Sequence, residues 1–408
     1  MSSPPSTHCT LLPSTRRFTG TPANADTGAE PLFTVNLVTG TPEEAARWVA
    51  AVNVTGLASR ITGKRLPKVT TWELGNEPYL KQENRPELDL PPREFAQRAN
   101  RFVRAMRAVD AGLQIGLPLT LDSRTGIPVS AYPGFTRQVL AALTEAVDFV
   151  AVHNAYMPFA NNPEADAIAM YWGAMAAARS VQADLAAMRA LLASLRPQRS
   201  VPYPLAVTEY NALFSLGRGA SDEWVSTPAG ALYVADVLRL FAATPDLALA
   251  NLWSLSGNWR FGAIHSGRYP RPVFEALRLV GEALHGERLD AALQAETVAT
   301  AGVGLVAAVP ALPLAEALLT RSRSARGTLL RALVIHKDPS RSGIGTLALQ
   351  DKTIRSARLT RLTCGDVFNA SDGAGVMARS EQALRAGRAI EFTLPPHSLG
   401  LLSVELAS

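Results

Sequence analysis

Two short runs carry the residues best equipped for chemistry. The first, VTTWELGNEPYL (residues 69–80), starts as an apolar, β-rich segment and closes on Glu77, held between Asn76 and Pro78. The second, PLAVTEYN (residues 204–211), puts Glu209 at the end of another apolar segment. If both segments are parallel strands of one barrel, their C-terminal ends converge on a single cleft, however far apart they lie in the chain. Two carboxylates facing each other there are the minimum equipment for hydrolysing a glycosidic bond. One protonates the departing oxygen and the other attacks the anomeric carbon, about 5–5.5 Å apart in retaining enzymes. The proton donor must stay protonated near neutral pH, which a partly apolar setting and a second negative charge favour. The nucleophile must stay ionised, which hydrogen-bond donors favour.

The neighbours suit this chemistry. Asn76 offers an amide for a sugar 2-hydroxyl, and Pro78 is expected to hold Glu77 extended, so that no helix starts there. The run VHNAY brings His153, Asn154 and Tyr156 as polar groups for a substrate, with Tyr156 or His153 as a donor to the nucleophile. His153 reads equally well as a hydrogen-bonded core histidine. Trp253, in LWSLS, is a candidate apolar floor for a sugar ring, while Arg260 and His265 in the following loop are candidates for the rim. Glu73 has the strand parity of Glu77 and so is expected to point inward, as an ion-pair partner rather than a catalyst.

The elements that must position these residues follow a two-beat rhythm from Pro31 onward. PLFTVNLVTG reads as a buried strand. TPEEAARWVAAVN reads as a helix, with Thr41 as N-cap, Pro42 at its first position and Glu44 in the capping-box place. The strand runs VTTWELGNEP, LQIGLPLTL, VDFVAVHNAYMP, YPLAVTEYNALFS and LALANLWSLSGNW then alternate with helical patterns. Continuous apolar strands between helices predict an α/β fold with a parallel sheet covered on both faces. No glycine-rich phosphate loop follows an early strand, and polar and aromatic residues gather at the strand ends, which favours a (β/α)8 TIM-type barrel over a doubly wound sheet. Beyond about Pro270, short spaced runs such as TLLRALVIHKDP, GIGTLALQ and ARLTRLTCG predict an all-β sandwich. The expected organisation is a disordered tail over residues 1–30, a barrel over 31–285 and a sandwich over 286–408. Six barrel strands are visible where eight close a barrel. Either two are hidden in the unpatterned tail, or the chain lacks the start of its fold; the second reading is favoured.

Composition sets the limits. The chain has 408 residues, 47% of them hydrophobic and 18% charged, enough for a sizeable packed interior. The net charge of +5 comes from scattered arginines without a basic stripe, so no nucleic-acid partner is expected. No apolar run reaches the roughly 18 residues of a membrane helix, and the tail has no secretory apolar core. Cys9 and Cys364 stand far apart outside any metal-ligand spacing, with Cys364 expected in the core. No metal and no cofactor is expected. Asn53-Val54-Thr55 and Asn369-Ala370-Ser371 match a glycosylation sequon by chance.

WELGNEP with a later strand ending in TEYN resembles clan A of the glycoside hydrolases. In that clan Asn-Glu closes barrel strand four and a nucleophilic Glu closes strand seven, so the visible strands correspond to three to eight. FTVNLVTGTPEEAARWVAAVN, VIHKDPS and LPPHSLGLLSVEL resemble most closely the α-L-arabinofuranosidases of that clan, whose barrel is followed by a β-sandwich. The resemblance runs from about Pro31 to the end. It implies a carbohydrate substrate, with Glu77 as acid/base, Glu209 as nucleophile and Asn76 as 2-hydroxyl ligand. It further implies that Tyr156 or His153 orients the nucleophile and that Trp253 is the aromatic residue after strand eight. There are two departures. Thr208-Glu209-Tyr210 stands where many such enzymes have Asp-Glu-Trp, and the first two barrel strands have no counterpart. The sugar therefore stays open to a β-xylosidase or β-glucuronidase reading, and activity to that of a truncated, inactive remnant.

Overall fold

The computed structural model describes residues 30–58, 63–82, 85–124, 127–153, 166–196, 200–212, 226–257, 261–304, 306–325, 327–349, 352–369 and 376–407. The expected tail, apart from Glu30, and Cys9 within it lie outside them.

The six apolar runs form one parallel sheet. Its strands are β1 (Leu32–Val35), β2 (Thr71–Leu74), β3 (Gln114–Pro118), β4 (Phe149–Val152), β5 (Leu205–Tyr210) and β6 (Leu247–Leu252), side by side in chain order. A helix follows each strand: α1 (Pro42–Val49), α2 (Pro92–Val109), α3 (Phe135–Ala142), α4 (Ala167–Leu195), α5 (Pro228–Ala243) and α6 (Pro272–Ala283). Helix α1 starts as its sequence predicts, with the Glu44 N–H donating to the Thr41 hydroxyl at 3.1 Å and Pro42 in the first turn. Helix α2 buries Phe95, Ala99, Phe102, Val103 and Met106, the spacing of one apolar face.

The sheet curls. Strands β2 and β5 stand three strand spacings apart, about 14 Å in a flat sheet. Yet the Thr208 hydroxyl on β5 reaches Glu73 on β2 at 3.0 Å. Only a sheet rolled toward its concave face brings these side chains together. On that face Leu32, Phe149, Ala151, Ala206 and Leu249 make a small cluster of their own, while the alternate residues, such as Leu74, Ile115, Val150 and Val207, pack under the helices. Gly116 leaves the space that the Phe149 ring fills, since a Cβ there would lie 2.0 Å from it. Among the described residues no strand pairs with the outer edges of β1 and β6, so the architecture is an incomplete TIM-type barrel.

An antiparallel β-sandwich follows. Its strands are β7 (Glu287–Leu289), β8 (Thr297–Thr300), β9 (Val309–Pro313), β10 (Ala315–Ser324), β11 (Gly327–His336), β12 (Gly343–Ala348), β13 (Ile354–Thr363), β14 (Ala378–Leu384), β15 (Ala389–Leu394) and β16 (Ser398–Leu406). Six of them form one sheet in the order β7-β10-β11-β16-β13-β14, and the pair β12-β15 lies over its apolar face, closing a core of Leu330, Leu359, Ile390, Leu394 and Leu402. Helix α5 is buried almost all round because it lies between the parallel sheet and β10–β11.

Buried ions join these two layers. Lys337, just past β11, places its ammonium 2.6 Å from Asp236 on α5 and donates to the Met175 carbonyl of α4. Arg239 bridges Asp236 at 2.7 Å and Glu316 of β10 at 3.3 Å, and Tyr171 donates to the Lys337 carbonyl at 2.7 Å. Tyr171 is thus a packing residue. Cys364, directly after β13, is half-buried beside the core, and burial pushes its thiol up to about 12, as suits an inert side chain. Asn53 is buried, with its amide donating to the Val69 carbonyl and to Asp110, so it has no surface to offer a glycan. Among the described residues, no helix is long and apolar enough to cross a membrane.

Candidate functional site

The C-terminal ends of β2, β4 and β5 meet in one cluster. Gly75, with φ of 80°, turns the chain out of β2, and Glu77 follows with φ of 43°. This corrects the expectation drawn from Pro78. A proline disfavours the right-handed helical region for the residue before it, but the left-handed region serves as well as an extended one to stop a helix. A side chain other than glycine in that region costs about 1–3 kcal/mol and needs its surroundings to hold it. Here Glu77 Oε1 lies 3.0 Å from His153 Nδ1, and the Tyr79 hydroxyl donates to it at 3.4 Å.

His153 continues the inward parity of Phe149 and Ala151 one residue past β4. It is buried, and its Nε2 lies 3.0 Å from the Thr208 hydroxyl. Thr208 follows the inward Ala206 on β5. The register of β5 against β6 shifts between Val207 and Tyr210, so the next residue, Glu209, also reaches the cluster, with Oε2 3.9 Å from His153 Nδ1. One oxygen of Glu77, one of Glu209 and a nitrogen of His153 lie within 4.8 Å of one another. His153 therefore sits closer to Glu77 than to Glu209, whereas the sequence suggested it for the nucleophile.

The charges are strongly coupled. Burial works against an imidazolium, but the hydrogen bond to Glu77 and the charges of Glu209, Glu73 and Glu77 outweigh it and hold His153 up to about 9. Burial raises Glu73 to about 7, against the opposing pull of His153 and Thr208. Burial also raises Glu209, partly offset by His153, so its setting is less favourable to the anion than the nucleophile's role suggested. The three ligand atoms lie close enough to share a cation, and both His153 nitrogens already have partners, Nδ1 in Glu77 and Nε2 in Thr208.

These shifts give stability a definite slope. Glu73 stabilises the fold fully below its unfolded value of 4.5, and that contribution is lost as pH rises through about 7; the His153 contribution is complete below 6.5 and is lost through about 9. Denaturant midpoints should therefore fall as pH is raised from 6.5 to 9, and His153→Gln should flatten that slope. An unchanged slope in the variant would mean that His153 is not held charged in the folded state.

The remaining candidates divide. Asn76 is exposed beside Glu77. Trp253 is half-buried one residue past β6, with its ring 4.6 Å from that of Phe261 and its carbonyl accepting from Asn211 at 2.6 Å. His265, expected in a loop, is half-buried on a two-residue strand, Ile264–His265, that pairs with Ser256–Gly257 and Tyr269–Pro270. Asn154, Tyr156 and Arg260 lie outside the described residues. Glu73 points inward as its parity suggested, 3.9 Å from His153 Nε2, and it also accepts from the Thr208 hydroxyl. Thr208 drew notice only as a departure from the family's Asp-Glu-Trp run, although its place two residues after Ala206 on an inward parity was readable.

Comparison with known proteins rests on structure alone. No protein-family model matches the chain, and no curated protein does. Solved structures do match. An α-L-arabinofuranosidase from Thermotoga maritima, in complex with arabinose, superposes with a TM-score of 0.72 at 22% identity, over 93% of this chain and 76% of that one. This chain has the α-L-arabinofuranosidase fold. The family 51 arabinofuranosidases from Thermotoga petrophila RKU-1 and Bifidobacterium longum match with TM-scores of 0.67 and 0.68, at 20% and 17% identity, over 93% and 91% of this chain and 76% and 75% of theirs. The arabinofuranosidase fold thus accounts for both the curled parallel sheet and the sandwich behind it.

Proposed function

We propose that this chain is a retaining glycoside hydrolase acting on α-L-arabinofuranosides of plant-type polysaccharides or their fragments. The observation that carries the reading is the approach of Glu77 and Glu209 from two non-adjacent strands to within 4.8 Å, close to the carboxyl spacing of retaining enzymes. The resemblance of WELGNEP and TEYN to clan A supports the reaction class, and the arabinofuranosidase fold supports the choice of sugar. Residues 31–285 form the catalytic unit and 286–408 the sandwich.

In the first step Glu209 attacks the anomeric carbon while Glu77 gives its proton to the departing oxygen. In the second, Glu77 takes a proton from water, which displaces Glu209 from the glycosyl-enzyme. His153, bonded to Glu77 Oε1, shares the proton that this cycle moves. Asn76 and Trp253 contact the sugar.

Two measurements test this. Proton NMR of 4-nitrophenyl α-L-arabinofuranoside hydrolysis should show the α-anomer of arabinose as the first product; a β-anomer would exclude double displacement, and faster turnover of an aryl β-xyloside or β-glucuronide would reassign the sugar. Glu77→Ala should lose about 10²–10⁴-fold on substrates with poor leaving groups and little on a 2,4-dinitrophenyl glycoside, which departs without a proton. Equal losses on both would remove Glu77 from the acid/base role.

A further inference from the structure

Glu73 takes no part in the chemistry above, yet it sits four residues before Glu77 with 3% of its surface exposed, and its carboxylate reaches the site. Its Oε1 accepts the Thr208 hydroxyl proton at 3.0 Å. A hydroxyl has one proton to give. With that proton turned toward Glu73, the Thr208 oxygen can only accept from His153 Nε2, 3.0 Å away, so Nε2 carries hydrogen. The other nitrogen, Nδ1, then faces Glu77 Oε1 at 3.0 Å with its lone pair available when the ring is neutral. With Nε2–H secured, the proton between Nδ1 and Glu77 Oε1 is shared by the pair up to about 9: it rests on the ring and passes to Glu77 for the leaving group, returning Nδ1 to a lone pair. With Nε2 bare, an Nδ1–H would be the last proton of a neutral ring, which does not release it to Glu77, and the acid would stay unloaded.

We propose that Glu73 is a positioning residue: by orienting the Thr208 hydroxyl it fixes the His153 proton on Nε2 and makes Nδ1 the proton partner of Glu77. This role rests on the assignment of Glu77 as acid/base. The groups facing His153 are Glu73 and Glu77 from β2 and the turn after it, and Thr208 and Glu209 from β5, while the Tyr79 hydroxyl donates to the same Glu77 oxygen. Glu73 contributes a negative charge 3.9 Å from Nε2 as well as the orientation, so its loss loosens the proton shared by His153 and Glu77. Burial, which raises Glu73 to about 7, means that the switch in hydroxyl direction falls near neutral pH.

The experiment is nitrogen NMR of the full chain with ¹⁵N-labelled histidine, the His153 signals being those missing in His153→Gln. The wild type should show hydrogen on Nε2 at all pH values above the protonation of Glu73. Glu73→Gln should lower the His153 titration by about one unit or more, because an anion within about 4 Å is gone. It should move the alkaline limb of kcat/KM for a poor-leaving-group substrate toward acid by the same amount, with kcat reduced and KM nearly unchanged. Thr208→Val, which keeps the carboxylate but removes the link, should shift the neutral-ring hydrogen to Nδ1, and it decides the matter alone if Glu73→Gln does not fold. A His153 tautomer and titration unmoved in the variant would overturn the proposal, as would a lowered rate with both pH limbs in place. Should the wild type hydrolyse no aryl glycoside, the functional reading fails while the NMR result still decides the role of Glu73.

Discussion

Glu209→Ala should stop turnover of aryl α-L-arabinofuranosides, with kcat reduced by about four orders of magnitude or more. A nucleophile cannot be replaced by water in the same position, because the covalent intermediate divides one difficult displacement into two easier ones. The void left by the side chain would admit a small anion, so azide should restore turnover on an activated substrate and yield the glycosyl azide of opposite anomeric configuration. Burial raises the Glu209 carboxyl, which makes the anion a strained guest. The alanine variant should therefore melt no lower than wild type, and its inactivity is not a folding defect. Activity within tenfold of wild type would remove Glu209 from the chemistry.

The second large effect concerns the joint between the helical layer and the sandwich. Burial alone would raise the Asp236 carboxyl, but Lys337 and Arg239 hold it down to about 2. Asp236→Ala leaves the Lys337 ammonium, 1% exposed, with one carbonyl for company. Removing one partner of such a pair costs about 3–5 kcal/mol, since the other charge stays buried. Replacing both, as in Asp236→Leu with Lys337→Met, should recover most of that loss, because the desolvation of the ammonium is gone too. Chemical denaturation of the single and double variants is the measurement; a loss below about 1 kcal/mol for Asp236→Ala would show that water reaches the ammonium. The pair also predicts acid sensitivity. Its contribution is present above the unfolded value of 3.8 and is lost as pH falls through about 2.

Most of the parallel sheet was readable because its strands are buried on both faces and so appear as apolar runs, with a cap or a proline announcing the next helix. The sandwich was less so. Strand β10, AEALLTRSRS, and β14, ARSEQAL, are rich in Ala, Leu, Glu and Arg, which favour helices in isolation. Their pairing with β11 and β13 overrides that preference. The motifs VIHKDPS and LPPHSLGLLSVEL, which suggested a family, turn out to be architectural. Asp338 caps the turn at Ser340 and Arg341, and its carbonyl accepts from the His397 N–H, tying the two motifs to each other. In the site, Glu77, Glu209 and His153 stood at visible strand ends. The link from Glu73 through Thr208 did not, because it crosses between strands that are not neighbours and exists only once the sheet has rolled up.

The backbone at Glu77 bears on anyone who would make this molecule hardier. Glycine adopts a φ of 43° freely, and a residue with a Cβ and a long acidic side chain does not. A selection that rewards survival of heat and ignores turnover will drift toward glycine at this position, gaining robustness while discarding the carboxyl proposed as proton donor. Libraries built for endurance should keep residue 77 constant and look for their improvements in the joint with the sandwich and on the outer faces of the helices.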